Sequence, residues 1–457
     1  MSQVTRSATV LLAVSAALLG GCATTIEGTA SALHRVTNVS DRDFEVTAST
    51  DSDTDQLARN ALADLNTFWT DTYPEIADGD AFEPLKGGYF AVDTSDIDDS
   101  LYPRGTGVGC TEMPIEPEEV EGNAFYQPDC DVIVYDSVLL TDLAKDYGDF
   151  IGAAVMAHEF GHAIQNRIGY NESTIQDETQ ADCFAGAFTR WVVDGHAQHV
   201  TVRPRELDTL LTGFIDLRDP VGTSADESDA HGSGFDRASG FYEGYSEGAK
   251  DCRDDFGPDR VFTAGAFTEE NGGDTEGNAS LDDVDGIVDG TFSVFYGSFL
   301  PDFAVPDLAH FDGTAPDCDD FDGTGRELGY CSSDNTVYID DSELVPDAYD
   351  IGDFAVVEAI GLPYAEAARA SLGLSTDDES ATSSAVCLTG TYAAQAFNGD
   401  AFPGFFLSPG DLDEAITFLL TFGQQDSVLP HTSLTGFELV GAFRTGFVQG
   451  ATACGLT

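Results

Sequence analysis

Eight cysteines of this chain fall into two sets of four, and the second set repeats the first. Cys110, Cys130, Cys183 and Cys252 are followed by Cys318, Cys331, Cys387 and Cys454, at offsets of 208, 201, 204 and 202 residues. A near-constant offset is what a tandem duplication leaves. Whatever fold the first set staples, the second half is therefore expected to repeat. The flanking residues agree. Val134-Tyr135-Asp136 recurs as Tyr338-Ile339-Asp340, and the run from Ala181 to Gly186 recurs from Ala385 to Gly390, both at offset 204. Phe68-Trp69 and Tyr73-Pro74-Glu75 find partners in Phe295-Tyr296 and Leu300-Pro301-Asp302, at offset 227. His231, Phe241, Gly244, Gly248 and Cys252 are echoed by His431, Phe443, Gly446, Gly450 and Cys454. One copy then spans 43–256 and the other 275–457, with the Asp/Gly-rich stretch 269–289 as a linker or a loop at its start. Each copy should be bonded internally, most simply Cys110–Cys130 with Cys183–Cys252 and Cys318–Cys331 with Cys387–Cys454. Other pairings stay open, because connectivity does not follow from sequence alone.

Periodicity fills in the elements. Leu57, Ala61, Leu62, Leu65 and Phe68 are spaced as on a helix over 55–72, which Pro74 should stop. Residues 88–92 and 131–135 read as strands. Helices are expected at 148–168, ended by Gly169, at 175–193 and at 235–251. A small sheet with several helices makes each copy α+β.

The helix at 148–168 carries the chemistry. His158-Glu159-Phe160-Gly161-His162 reads HExxH within an apolar run. On a helix, positions i and i+4 lie about 40° apart around the axis, so both imidazoles leave from one face. Two such imidazoles are two ligands of a catalytic zinc site, and the glutamate between them is placed to take a proton from water. The motif alone can arise by chance, so a third ligand is needed. Glu178 and Asp182, again i and i+4, lie on the next helix. Glu178 is read as that ligand, and Asp182 as the acceptor that orients a histidine; the two roles could be exchanged. One zinc ion per chain is expected. Cys183 could ligate in principle, but its partner Cys387 persists where the other ligands are lost, which favours a disulfide. His231 opens a turn before a helix and is either a donor to a developing oxyanion or a helix-start or core histidine. His34, His196, His199 and His310 lack a ligand pattern. The second copy reads Leu362-Pro363-Tyr364-Ala365-Glu366 at the motif, with Thr382 and Val386 in place of Glu178 and Asp182, so it should hold no zinc. The run 51–55 hints at calcium, but Gln56 and Leu62 stand where an EF-hand needs glycine and glutamate.

Charge excludes other classes. The chain has 19 basic and 82 acidic residues, a net −63, with lysine only at 86, 145 and 250. Neither nucleic acid nor an anionic membrane surface would be met by such a face. A solvated acidic surface, tolerated where salt screens it, is the simpler reading and suggests a halophile. At the N-terminus, Arg6 precedes an apolar stretch over 8–19, too short for a membrane span and suited to a secretory signal. Leu19-Gly20-Gly21-Cys22 resembles a bacterial or archaeal lipobox, which would make Cys22 the lipidated residue and 1–22 the signal peptide. A signal peptide cleaved nearby without lipid is the alternative. With Cys22 set aside, eight cysteines remain, an even set that suits an extracytoplasmic protein.

The run from Ala157 to Gln165, followed by that from Glu178 to Gly186 and the closing segment from His231 to Cys252, resembles the bacterial neutral zinc metallopeptidases. The likeness covers about residues 100–255. It implies a gluzincin-like peptidase, with His158, His162 and Glu178 as ligands and Glu159 as catalytic acid and base. A degenerate second copy departs from the usual single-domain pattern. The expectation is a lipid-anchored extracytoplasmic zinc peptidase acting on proteins or peptides. The alternatives are a non-catalytic cell-surface or envelope protein that retains the zinc site, and a zinc amidase for a non-peptide substrate such as a cell-wall fragment.

Overall fold

Ser52 starts the first helix: its side chain accepts from Asp55 N at 3.1 Å, the usual cap for an exposed first turn. In the computed structural model, which describes residues 36–456 apart from 229, 269–276, 317, 319–324, 400 and 431, this helix is α1 (Asp53–Ile76). The segment 1–22 expected as a signal, with Cys22, and His34 and His431 lie outside the described residues. Ala58, Ala61, Leu62, Leu65, Phe68 and Trp69 form its buried face. The helix runs two residues past Pro74 instead of stopping before it. A proline in the last turn costs one backbone hydrogen bond, and the burial of Tyr73 and Ile76 offsets it.

Three short strands follow, β1 (Gly88–Val92), β2 (Ala124–Gln127) and β3 (Val132–Asp136). They form a sheet of order β1-β3-β2, with β1 parallel and β2 antiparallel to β3. The buried run Val132–Tyr135 is the centre, and β2 keeps one free edge. Asp136 ends β3 and caps α2 (Ser137–Tyr147) through Val138 N. Gly148, at φ 85°, breaks the chain before α3 (Phe150–Ile168). Next come α4 (Thr174–Val193), α5 (Glu206–Asp216), α6 (Gly234–Glu247) and α7 (Ala249–Asp254). The expected single helix at 235–251 is thus two, because Gly248 takes φ 91°, a left-handed conformation that interrupts the helical run.

The order then recurs. α8 (Leu281–Gly297) precedes β4 (Asp307–Phe311), β5 (Leu328–Cys331) and β6 (Thr336–Asp340), whose sheet order β4-β6-β5 has the same parallel and antiparallel pairings. After them come α9 (Leu344–Tyr349), α10 (Asp353–Ser371), α11 (Glu379–Phe397), α12 (Asp411–Phe422) and α13 (Gly436–Gln449). The stretch 269–289 is not all linker: from Leu281 onward it is α8, with Val284 and Val288 buried one turn apart. The cysteines pair as Cys110–Cys130, Cys183–Cys252, Cys318–Cys331 and Cys387–Cys454. These are the four pairs of the simplest arrangement above. Each stabilises by about 2–4 kcal/mol, and such bonds fit an oxidising, extracytoplasmic compartment. Among the described residues no helix is long and apolar enough to cross a membrane.

The described residues form one compact unit, and one hydrophobic core draws on both halves. The halves also cap each other's helices. Asp413 on α12 accepts from Gly234 N and Phe235 N at the start of α6, at 3.0 and 2.7 Å. Asp208 on α5 accepts from Phe437 N at the start of α13, at 2.7 Å.

Candidate metal centre

α3 and α4 lie unusually close, and small residues allow it. A Cβ on Gly161 would stand 2.9 Å from Ala181 Cα, so no larger residue fits without moving a helix. That approach brings Glu178 over His158 and His162. His158 Nε2 is 3.2 Å from His162 Nε2 and 3.2 Å from Glu178 Oε2, and His162 Nε2 is 3.5 Å from Glu178 Oε1. A tetrahedral zinc with ligands at about 2.05 Å has ligand–ligand edges of about 3.3 Å. The two Nε2 atoms are one such edge apart, and the Glu178 carboxylate straddles them with Oε2 towards His158 and Oε1 towards His162, a spacing that fits the edges of such a tetrahedron.

Hydrogen bonds set which nitrogens face the centre. His158 Nδ1 donates to Asp182 Oδ1 at 2.7 Å. Asp182 is in turn held by Arg237, whose Nε and Nη2 each donate at 2.9 Å, while Arg237 Nη1 donates to Leu217 O. His162 Nδ1 is 2.8 Å from Gln165 Oε1. The identity of that amide atom follows from a chain of contacts. Gln180 Nε2 donates to Cys252 O, which turns Gln180 Oε1 towards Gln165. Gln165 Nε2 donates to Gln180 Oε1 and to Asp177 O, so its oxygen must face His162. Both Nδ1 atoms then carry hydrogen, and both Nε2 lone pairs converge with a carboxylate. Three acceptors meeting without a donor suit a cation, and the mixed nitrogen and oxygen set suits zinc.

The local field favours positive charge at this point. Against the cost of burial, Asp182 and Glu178 push His158 up to about 10. Burial also opposes ionisation of Glu178, yet the two imidazoles hold its carboxyl well below the usual range. Burial and then Arg237 act in opposite senses on Asp182, and the net effect lowers it. Glu159 differs: burial raises it, against the pull of both histidines. Its Oε2 accepts from Tyr126 N at 2.9 Å, which fixes the carboxylate beside β2.

A cavity of about 500 Å³ opens onto these groups. His158, Glu159, His162, Glu178, Arg237 and His231 line it, with Ala124, Phe125 and Tyr126 of β2 along one wall. His231 lies in this wall, far in sequence from the motif; its Nδ1 is 3.1 Å from Asp219 Oδ1, and its backbone N–H donates to Asp219 Oδ2 at 2.6 Å. Cys183 is bonded to Cys252 and is not among the converging atoms. Sequence reasoning gave no role to Gln165, Gln180, Arg237 or Tyr126. Gln165 stands three residues after His162, on the same helix face, which is a usable signal. Arg237 reaches Asp182 across 55 residues and leaves no local trace.

Uncharacterized proteins of Mycobacterium bovis and Mycobacterium tuberculosis are 26% identical to this chain over 183 residues, covering 34% of the chain. The chain spans 61% of the length of these curated relatives. No protein-family model matches the chain. No solved structure matches it either.

Proposed function

We propose that the chain is a zinc-dependent peptidase. The observation that carries this reading is the convergence of His158 Nε2 and His162 Nε2 with the Glu178 carboxylate, whose Oε2 and Oε1 stand 3.2 and 3.5 Å from them, with both Nδ1 atoms engaged elsewhere. Zinc held there would supply Lewis acidity, lowering the pKa of water and polarising a carbonyl. Glu159 takes the proton of the attacking water and delivers it to the leaving amine; its raised affinity for protons, caused by burial, suits both transfers. His231, supported by Asp219, faces the cavity as a donor to the developing oxyanion. The Tyr126 N–H points to Glu159, away from β3. Backbone groups alternate sides along a strand, so Ala124 and Tyr126 both turn their C=O groups to the free edge, their N–H groups being taken by Asn123 Oδ1 and Glu159. An extended peptide pairing with that edge would lie along the cavity. Phe125, Leu139, Leu143, Val155 and Phe214 offer its side chains an apolar lining.

The repeated element order, sheet pairing and disulfides support a tandem duplication of one α+β zincin-like domain, with 275–457 as the degenerate copy. At the position of the metal helix, α10 carries Leu362, Pro363, Tyr364, Ala365 and Glu366, which offer no imidazole. The lipobox-like run before Cys22 supports anchoring of the protein to the outer face of the cell membrane.

Metal analysis joined to cleavage profiling of a peptide library, for wild type and Glu159→Gln, tests the reading. One zinc per chain in both proteins and hydrolysis by wild type alone are expected. A wild type without stoichiometric zinc, or Glu159→Gln with unchanged hydrolysis, overturns it. Zinc with no cleavage by wild type would favour a binding protein that keeps the metal.

A further inference from the structure

Three carboxylates meet at a second place, in the half of the chain without the histidines. Asp353 opens α10, and Asp411 and Glu414 lie on the first turn of α12. One oxygen from each lies within 4.8 Å of the others. Part of their hydrogen bonding is satisfied. Asp353 Oδ2 accepts from Ala279 N at 2.7 Å, Asp411 accepts from Ser408 N and Oγ at 2.9 and 2.6 Å, and Glu414 Oε2 accepts from Phe354 N at 2.9 Å. Asp353 Oδ1 receives no well-aligned hydrogen bond, although the residue is only 7% exposed, and the Glu414 carboxyl stands beside Asp353. The Glu414 carboxylate is pressed against Gly352, where a Cβ would come within 1.9 Å of its Cδ. Nothing basic balances the cluster among the described residues: the nearby Arg218 pairs with Asp413 instead, at 3.0 Å. Burial and mutual repulsion push Asp411 up to about 8 and Glu414 up to about 9. A buried, unpaired charge is costly, so such a group demands either protons or a cation.

We propose that Asp353, Asp411 and Glu414 form a binding site for a hard divalent cation of the Ca2+ type, distinct from the candidate zinc centre and independent of it. All the donors are carboxylate oxygens, without imidazole or thiolate, which selects against zinc. Asp353 Oδ1 is the atom a cation would satisfy. Ca2+ takes about 6–8 oxygens at about 2.3–2.6 Å in a flexible shell, more tolerant of an irregular carboxylate cluster than the strict octahedron of Mg2+. Water from the adjoining cavity of about 740 Å³, which Glu414 lines, can complete the shell. The bound cation would tie the segment before α8, through Asp353 and Ala279, to the starts of α10 and α12.

Equilibrium dialysis against Ca2+ in molar KCl, which screens the diffuse acidic surface, tests this on the full chain. Wild type is expected to hold one Ca2+ per chain more than an Asp411→Asn, Glu414→Gln double variant. Its Tm should shift up by a few degrees as Ca2+ rises above Kd, and the double variant should lose that shift. In Ca2+-free buffer the variant should still fold, since like charges are removed, one oxygen at each position still accepts from Ser408 N or Phe354 N, and the Ser408 hydroxyl can turn to accept from the new amide N–H. Should the variant fold poorly, Tb3+ luminescence on wild type gives a second reading, one equivalent displaced by Ca2+ being expected. Equal Ca2+ in both proteins, a Tm indifferent to Ca2+, or no saturable Tb3+ equivalent would each overturn the proposal in favour of protons shared among the carboxylates. Zinc content measured on the same samples keeps the two sites separate.

Discussion

His158 and His162 are held by different kinds of acceptor, and that difference sets what each substitution does. Gln165 is a neutral amide that positions the His162 ring by one contact at 2.8 Å. Gln165→Leu should weaken zinc binding by about 10–100-fold while the protein still folds. Competition with a chelator measures this, and an unchanged affinity would show that the contact does not position the ring. Asp182 is a carboxylate that also neutralises the buried Arg237. Asp182→Asn should therefore lower stability and zinc affinity together, by about 3–5 kcal/mol in stability, because it leaves a buried cation without its partner. Elsewhere Glu358 links stability to pH. It is buried with one donor, Thr389 Oγ1 at 2.6 Å, and burial pushes it up to about 8. The folded protein keeps this proton where the unfolded chain, with an ordinary glutamate, has released it. Stability then falls as pH rises from about 4.5 to about 8, and the loss is complete above that. Glu358→Gln should lessen this slope, to which the other raised carboxyls still contribute, and melt higher than wild type at alkaline pH. Parallel slopes for the two proteins would contradict it.

At the scale of elements, glycine sets the helix spacing. A Cβ on Gly244 of α6 would stand 1.7 Å from Cys183 O of α4, and one on Gly446 of α13 would stand 1.7 Å from Cys387 O of α11. The clashing atoms are backbone and cannot rotate away, so Gly446→Ala should destabilise by at least the upper end of the about 1–3 kcal/mol typical of overpacking. Gly161→Ala acts on the zinc centre instead, by forcing α4 off α3 and carrying Glu178 away from the imidazoles. Its zinc affinity should fall further than its Tm, whereas Gly446→Ala should lower Tm and leave zinc stoichiometry at wild-type level; calorimetry with metal analysis separates the two. These elements differ in how readable they were. α3 and α4 carry polar residues at helical spacing on apolar faces, and the run Val132–Tyr135 is continuous, so all three are legible. β2 is not, because Ala124–Gln127 has no alternation and is placed by Glu159 and by β3. The start of α8 hides in Asp/Gly-rich composition, with only Val284 and Val288 to mark a buried face. The caps from Asp413 to α6 and from Asp208 to α13 cross 178 and 229 residues, beyond any local pattern.

For the whole molecule the dominant quantity is the net charge of −63. The few basic residues are largely committed to particular partners: Arg237 to Asp182, Arg260 and Arg444 to Glu243, and Arg218 to Asp413. Little positive charge remains to interleave with the acidic surface, so self-repulsion acts across the folded chain and is relieved by unfolding. The screening length falls from about 30 Å at 0.01 M salt to about 3 Å at 1 M. At low salt the repulsion therefore spans the molecule; at molar salt it is confined to neighbouring carboxylates. Tm should climb steeply with KCl over that range and then flatten, because the buried pairs named above are shielded from solvent and barely respond. Two controls isolate the effect. Zinc must be held saturating, so that metal loss does not imitate unfolding, and the titration must be repeated with a chelated Ca2+ background, so that trace divalent ions do not imitate screening. A Tm that does not move between 0.01 and about 1 M KCl would mean that the acidic surface does not govern stability, and that the disulfides and the shared core suffice.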